Sequence, residues 1–224
     1  MRKFATIILS VLWLSPAVPA LAQNIFTLGD SNGEARDGWV AQLKTLLPGA
    51  TIFNQSLSGN TIGFDNLGQE RLNTLKNVDK YVQAAIEAAQ GRPYDYLVVC
   101  LGTNDCKAEY ADRQEEVKDN FSRLLQTLRQ HPVWEGKCPK LVIVTPPPYG
   151  EDSIMLEKYK GGDARVKALV PVMKKAARKN KALFVDVYTP LKPLYAGLSP
   201  DGIHMKAEGQ QIIARQIIAK LKLR

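Results

Sequence analysis

Five short apolar runs, set apart by longer amphipathic stretches, leave this chain few folds to choose from. The runs are Asn24 to Leu28, Ala50 to Asn54, Tyr96 to Leu101, Lys140 to Thr145 and Ala182 to Val187. Each is bounded by Gly, Pro or polar residues, and most are too apolar for a half-exposed strand, so they predict strands buried on both faces. Helical patterns lie between them. Asp112 to Gln130 puts Val117, Phe121, Leu124, Leu125 and Leu128 on one face, and Asp163 to Asn180 gathers Val166, Leu169, Val170, Met173 and Ala177 with Lys and Arg outward. Asp37 to Leu47 and Leu72 to Ala89 are two more, and Ala207 to Leu221 closes the chain with Ile213, Ile217 and Leu221 at spacings of four.

Strand alternating with helix predicts a parallel sheet covered by helices on both sides, because parallel neighbours need crossover connections. The expected class is a doubly wound α/β domain, a three-layer α/β/α sandwich. With 224 residues, 45% of them hydrophobic, the chain can bury one substantial core, which excludes a disordered, collagen-like or disulfide-scaffold protein. No internal repeat or linker breaks the pattern, so one domain is the expected count.

The N-terminus carries a different signal. Arg2-Lys3, the apolar stretch Phe4 to Leu14, Pro16 and then Ala20-Leu21-Ala22 have the make-up of a secretory signal peptide with an A-x-A cleavage site. The apolar run falls short of the ~20 residues that span a bilayer, and no later segment is long and apolar enough, so no stable membrane anchor is expected. Cleavage after Ala22 leaves residues 23–224 as the working domain and, with Arg2 and Lys3 gone, takes the formal charge from +8 to +6. The remaining cations are scattered along the sequence without an aromatic-basic or zinc-finger pattern, so a solvated basic surface is expected rather than a nucleic-acid partner. Whether the exported protein stays in a periplasm or is secreted is left open.

Export bears on the three cysteines. Cys100 lies in an apolar run and reads as a buried small hydrophobe, whereas Cys106 and Cys138 fall in polar surroundings at opposite ends of one predicted helix. In an oxidising compartment these two are candidates for a disulfide, provided their Cα atoms come within ~7 Å.

In doubly wound sheets ligands sit outside the carboxyl ends of the strands. Gly29-Asp30-Ser31-Asn32-Gly33 follows the first strand, Ser56-Leu57-Ser58-Gly59-Asn60 the second and Gly102-Thr103-Asn104-Asp105 the third, while Ser199-Pro200-Asp201-Gly202-Ile203-His204 precedes the last helix. Taken singly, Gly-Asp-Ser and Asp-Gly are ordinary turns, Asn104-Asp105 is an ordinary helix cap, and His204 an ordinary surface histidine. Taken together they supply parts for nucleophilic catalysis. A serine needs a base of near-neutral pKa, and imidazole is the usual one. An aspartate three residues ahead of that histidine can accept from Nδ1–H and turn Nε2 toward the serine. Gly59 lets the backbone approach a reacting group without a Cβ in the way, and Asn104 brings an amide donor to the same rim.

In this order, Gly29-Asp30-Ser31, Gly59, Gly102-x-Asn104-Asp105 and Asp201-x-x-His204 resemble the four blocks of the SGNH, or GDSL, hydrolase superfamily across nearly the whole mature chain. The resemblance implies Ser31 as nucleophile, His204 as general base and then acid, and Asp201 as the group that orients His204. It implies an oxyanion hole made by the Ser31 N–H, the Gly59 N–H and the Asn104 side chain. A flavodoxin-like sheet of order 2-1-3-4-5 is implied as well. Asn32 departs from the family, where Leu commonly follows the serine, and is expected to alter the pocket entry while leaving the triad intact. Leu101 to Lys107 and Pro146-Pro147-Pro148 further resemble the branch that holds aryl esterases and carbohydrate acetylesterases. The stretch Tyr149 to Gly162 is long enough to fold over the site, or is a plain surface connection.

The expected chemistry is acyl transfer through an acyl-enzyme, with no cofactor and no metal. Export and the branch resemblance favour a short acyl group, most simply acetyl, on a small-molecule or glycan ester. A thioesterase or lysophospholipase for longer chains is the alternative. A catalytically silent carbohydrate-binding protein would be expected to have lost part of the triad, and every element is present here.

Overall fold

A computed structural model describes residues 23–221, so the basic and apolar segment read as a signal peptide lies outside the described residues. Strands β1 (Asn24–Gly29), β2 (Thr51–Asn54), β3 (Tyr96–Cys100), β4 (Lys140–Val144) and β5 (Leu183–Val185) form one sheet in the order 2-1-3-4-5. Every neighbouring pair is parallel, in a register that sets Thr27 beside Val98 and Val99 beside Ile143. This is the expected flavodoxin-like α/β/α architecture.

Side-chain alternation builds the two halves of the core. Phe26, Leu28, Leu97, Val99, Leu141 and Ile143 point to one face, while Ile25, Tyr96, Val98, Cys100, Val142 and Val144 point to the other. Helices α3 (Val78–Ala89), α4 (Gln114–Gln130) and α5 (Gly162–Lys179) pack on the first face through Val82, Phe121, Leu124 and Val166. After the short helices α6 (Tyr188–Leu191) and α7 (Tyr195–Leu198), helix α8 (Ala207–Ile218) joins α2 (Trp39–Leu46) to cover the second through Trp39, Leu43, Ile213 and Ile217. Because both faces are covered, the central strands β1 and β3 stay buried at every position. The edge strands do not: Thr51 of β2 is exposed, and Leu183 and Phe184 of β5 are half-buried, since an edge has a neighbour on one side only.

Two expectations need correction. The segment predicted as a helix from Leu72 begins one only at Val78, after short 3₁₀ turns over Asn66–Gly68, Glu70–Leu72 and Leu75–Asn77. Leu72 O is taken by Thr61 N at 2.9 Å, and the Lys76 N–H that a helix would send to it goes to Asn73 Oδ1 at 3.2 Å instead, so a helix does not start at Leu72. The second concerns Cys106 and Cys138, which are not bonded: both are free thiols. Cys106 is fully buried just past the carboxyl end of β3, Cys138 sits just before the amino end of β4, and the 17 residues of α4 lie between them. A helix of that length spans ~25 Å, far beyond what a disulfide bridges.

Candidate active site

The first site element is set by the turn after β1. Asp30 is the N-cap of the one-turn helix α1 (Ser31–Glu34), its carboxylate accepting the Asn32 N–H at 3.0 Å, which places Ser31 at the first helical position on the sheet's carboxyl rim. Burial pushes the Asp30 carboxyl up from its ordinary value, opposed by the Thr103 hydroxyl, the Asn32 N–H and the charge of His204.

The second element arrives from the far end of the chain. Asp201 Oδ1 accepts the Ile203 and His204 N–H groups at 2.9 and 2.7 Å, a local turn that needs the positive φ of 76° at Gly202. Ser199 Oγ donates to His204 O at 2.9 Å and Tyr195 Oη to Ile203 O at 3.1 Å. Within this turn the other carboxylate oxygen, Asp201 Oδ2, lies 2.7 Å from His204 Nδ1, and His204 Nε2 lies 3.1 Å from Ser31 Oγ. Burial raises the Asp201 carboxyl, but hydrogen bonds from the His204 ring and from the His204 and Ile203 N–H groups outweigh it, leaving it below its ordinary value. Asp201 stays ionised and holds Nδ1 protonated, which leaves Nε2 as the acceptor facing Ser31. The side chains of His204 and Asp201 are about half exposed, at 51% and 52%, so the serine opens onto solvent.

Asn32 does not shape the pocket entry as expected. Its side chain is buried and turned inward, donating to Ile203 O at 3.4 Å and accepting from Met205 N at 3.4 Å and Gln210 Nε2 at 2.7 Å. Gln210 Oε1 in turn accepts the Trp39 N–H at 3.2 Å. The residue that departs from the family therefore ties the serine turn to the histidine turn and to α8.

Gly59 and Asn104 come to the same rim from β2 and β3. Gly59 holds φ at +87°, a conformation that favours glycine, and a Cβ there would stand 3.2 Å from Leu72 Cδ1 and 3.3 Å from Asn66 Nδ2, so those two side chains would also have to give way slightly. Just before it, Ser58 donates its N–H to Glu34 Oε2 at 2.7 Å and its hydroxyl to the same oxygen. The Ser31 and Gly59 N–H groups donate to no acceptor among the described residues. Asn104 Nδ2 gives one of its two hydrogens to Asn60 O at 2.8 Å, which fixes the amide plane and leaves the other available.

Sequence reasoning missed three supporting residues. Asp105 is fully buried, and both carboxylate oxygens lie 2.9 Å from the Ile62 N–H; burial pushes its pKa up to about 7, against the Ile62 and Gly63 N–H groups. Lys107 is buried with its ammonium 2.9 Å from Asn66 Oδ1, and Asn66 is buried with its Nδ2 2.6 Å from Gly59 O. Lys107 stands within the stretch that marks the esterase branch, but spacing alone gives it no partner, and nothing in the sequence marks Asn66. The stretch after the three prolines does reach the site: Tyr149 Oη donates to Thr103 O, Gly150 N donates to Gly202 O at 2.8 Å, and Met155 packs beside Gly202. Among the described residues no cluster of three or more His, Cys, Asp or Glu could hold a metal, and no helix is long and apolar enough to cross a membrane.

A parallel sheet of this order with a serine, an imidazole and a carboxylate in hydrogen-bond series at its carboxyl rim has the layout of a serine hydrolase. The comparisons sharpen that class to a family: residues 26–212 match the profile of the GDSL-like lipase/acylhydrolase family, and the chain belongs to it. It is accordingly a carboxylic ester hydrolase. No curated protein matches the chain significantly. Among solved structures, it is similar to a carbohydrate acetylesterase family member from Sinorhizobium meliloti, with a TM-score of 0.70, 22% identity and coverage of 87% of this chain and 95% of that one. The native aryl esterase of M. smegmatis is similar at a TM-score of 0.68 and 22% identity, over 89% of this chain and 100% of that one. A putative arylesterase from Agrobacterium tumefaciens gives a TM-score of 0.68 at 23% identity, over 88% of this chain and 97% of that one. At these identities the likeness is one of fold.

Proposed function

We propose that the protein is an exported serine esterase that removes short acyl groups, acetyl above all, from carbohydrate. The observation that carries the catalytic reading is the unbroken series from Asp201 through His204 to Ser31 Oγ, with contacts of 2.7 and 3.1 Å. His204 Nε2 takes the Ser31 proton as Oγ bonds to the ester carbonyl carbon, and the carbonyl electron pair moves onto its oxygen. The Ser31 N–H, the Gly59 N–H and the free hydrogen of Asn104 Nδ2 receive that oxyanion. The pair then returns, the C–O bond to the sugar breaks, and His204 passes its proton to the departing alkoxide, leaving acyl-Ser31. Water repeats the sequence with His204 again as base, releasing the acid and restoring the serine hydroxyl.

Support for a carbohydrate ester comes from the acetylesterase named among the similar folds and from the half-exposed His204 and Asp201, which suit an ester carried on a bulky glycan. Export rests on the N-terminal sequence pattern alone. A second reading, a thioesterase or lysophospholipase for longer chains, draws on exposed apolar side chains near the site. Leu67 follows Asn66 of the Gly59 loop, and Ile154 stands beside Gly150; the two are 64% and 56% exposed. Hydrolysis of p-nitrophenyl esters from acetate to dodecanoate separates the two. The short-acyl reading predicts kcat/KM highest at acetate and falling steadily with chain length, and a maximum at octanoate or beyond would overturn it. Release of acetate from acetylated glycans then tests the carbohydrate assignment.

A further inference from the structure

The turn after β3 presents Asn104 and also grips the loop that carries Gly59, at three points. Asn104 Nδ2 donates to Asn60 O at 2.8 Å, the Asp105 carboxylate accepts the Ile62 N–H at 2.9 Å, and Lys107 Nζ donates to Asn66 Oδ1 at 2.9 Å. Asn66 completes the last link by donating Nδ2 to Gly59 O at 2.6 Å. The two elements that would supply the oxyanion donors are thereby locked to each other.

Lys107 is the link that packing explains least. The residue is only 4% exposed, and its ammonium has one hydrogen-bond acceptor among the described residues, with the Tyr159 ring centroid 5.8 Å away. Burying an ammonium is unfavourable unless it is well paired, and a methionine stem would fill similar space without that cost. The backbone it braces is strained: Leu67, next to Asn66, holds φ at +57°, a region leucine seldom adopts and one that persists only where neighbouring contacts enforce it. A costly cation holding a strained loop against the oxyanion-hole glycine points to catalysis rather than to stability.

We propose that Lys107 is a positioning residue of the oxyanion hole, holding Gly59 through Asn66 so that the Gly59 N–H keeps its aim as charge develops on the acyl oxygen. This rests on the reading of Gly59 and Asn104 as oxyanion donors. Lys107 touches no reacting atom, and its effect belongs to the transition state, because the ground-state ester carries little charge on that oxygen.

The test compares the wild type with Lys107→Met, Lys107→Arg and Asn66→Asp on p-nitrophenyl acetate. Active sites are counted with a fluorophosphonate probe, and phenylboronic acid serves as a mimic of the tetrahedral anion. Lys107→Met is expected to show the same titratable fraction and a KM within about twofold, with kcat lower by up to about 100-fold and the boronate inhibition constant raised by a similar factor. Lys107→Arg should recover most of the loss. Asn66→Asp keeps an acceptor for Lys107 but removes the hydrogen given to Gly59 O, so it should lose as much, and it carries the test if Lys107→Met does not fold. Unchanged kcat and boronate affinity in the folded variants would overturn the proposal, as would a fall in kcat without weaker boronate binding. Failure of the wild type to react with the probe would instead bring down the serine reading beneath it.

Discussion

His204 Nε2 lies 3.1 Å from Ser31 Oγ across a separation of 173 residues. Two turns built independently make that contact possible: an Asp30-capped helix start after β1 and an Asp201-centred turn ahead of α8. Each is shaped by local hydrogen bonds, and the sheet order brings both to one rim.

Asn32 and Gln210 couple those turns. Asn32→Leu, which restores the residue common in the family, would leave the buried Met205 N–H without its acceptor, while the Ile203 carbonyl would keep Tyr195 Oη and Gln210 Nε2 would keep Met205 O. Unpaired buried polar groups cost about 1–3 kcal/mol, so the urea midpoint should fall by an amount in that range and kcat should fall with it as the histidine turn loosens. A variant as stable and as active as the wild type would show that the clamp contributes nothing.

Asn104→Ala removes one donor of the proposed oxyanion hole and also the bond to Asn60 O. A single such donor is worth roughly 2.7–4 kcal/mol of barrier, so kcat on p-nitrophenyl acetate should drop by about two to three orders of magnitude with little change in KM. Steady-state kinetics check this directly, and a loss under fivefold would count against Asn104 as a donor.

Asp105 gives stability a pH dependence of definite sign. Burial raises its pKa from the ordinary 3.8 to about 7, so across that window the folded protein keeps a proton that the unfolded chain has released. Folding stability from this group is therefore present at low pH and is lost as pH rises from about 4 to about 7. At about 1.4 kcal/mol per pH unit the loss is at most roughly 4 kcal/mol. Asp105→Asn keeps an acceptor for the Ile62 N–H without the ionisation, so denaturation from pH 5 to pH 8 should cost the variant less stability than the wild type. Parallel pH profiles would refute the assignment. Asp30, also raised by burial, acts in the same direction in both proteins, and because its charge helps to raise Asp105 the difference between the two profiles reports Asp105 together with that coupling.

Free Cys106 and Cys138 make a further test. Thiol titration of the protein purified without reductant and unfolded in denaturant should find all three cysteines of the chain reactive, and dithiothreitol should leave the melting temperature unchanged. A single titratable thiol would mean that two of them are joined.

The order of legibility follows the range of the interactions. Continuous apolar runs such as Tyr96 to Leu101 announce buried parallel strands, because a strand covered on both faces has no polar positions to spare. Ser31, Gly59, Asn104, Asp201 and His204 stand out because chemistry restricts which residue can serve at each place. Asn66 and Lys107 do not, since an amide and an ammonium are common surface groups, and their roles exist only once the β2 loop folds against the turn after β3. The late start of α3 is hidden for the same reason: Leu72 looks helical locally, but its carbonyl answers to Thr61 and the Lys76 N–H to the Asn73 side chain. Asn32 looks like a pocket residue in the sequence because its partners, Ile203, Met205 and Gln210, lie more than 170 positions away.

The central claim is that Ser31 attacks the ester. Wild-type protein and Ser31→Ala are treated with a fluorophosphonate probe, digested and mapped by mass spectrometry, and the same preparations are assayed on p-nitrophenyl acetate and melted. The account predicts one adduct per wild-type molecule, on Ser31, and no adduct and no hydrolysis above buffer in Ser31→Ala, with melting temperatures alike because Ser31 is only partly buried and, among the described residues, its hydroxyl hydrogen-bonds His204 alone. Hydrolysis surviving in Ser31→Ala, or an adduct on a different serine, would contradict it.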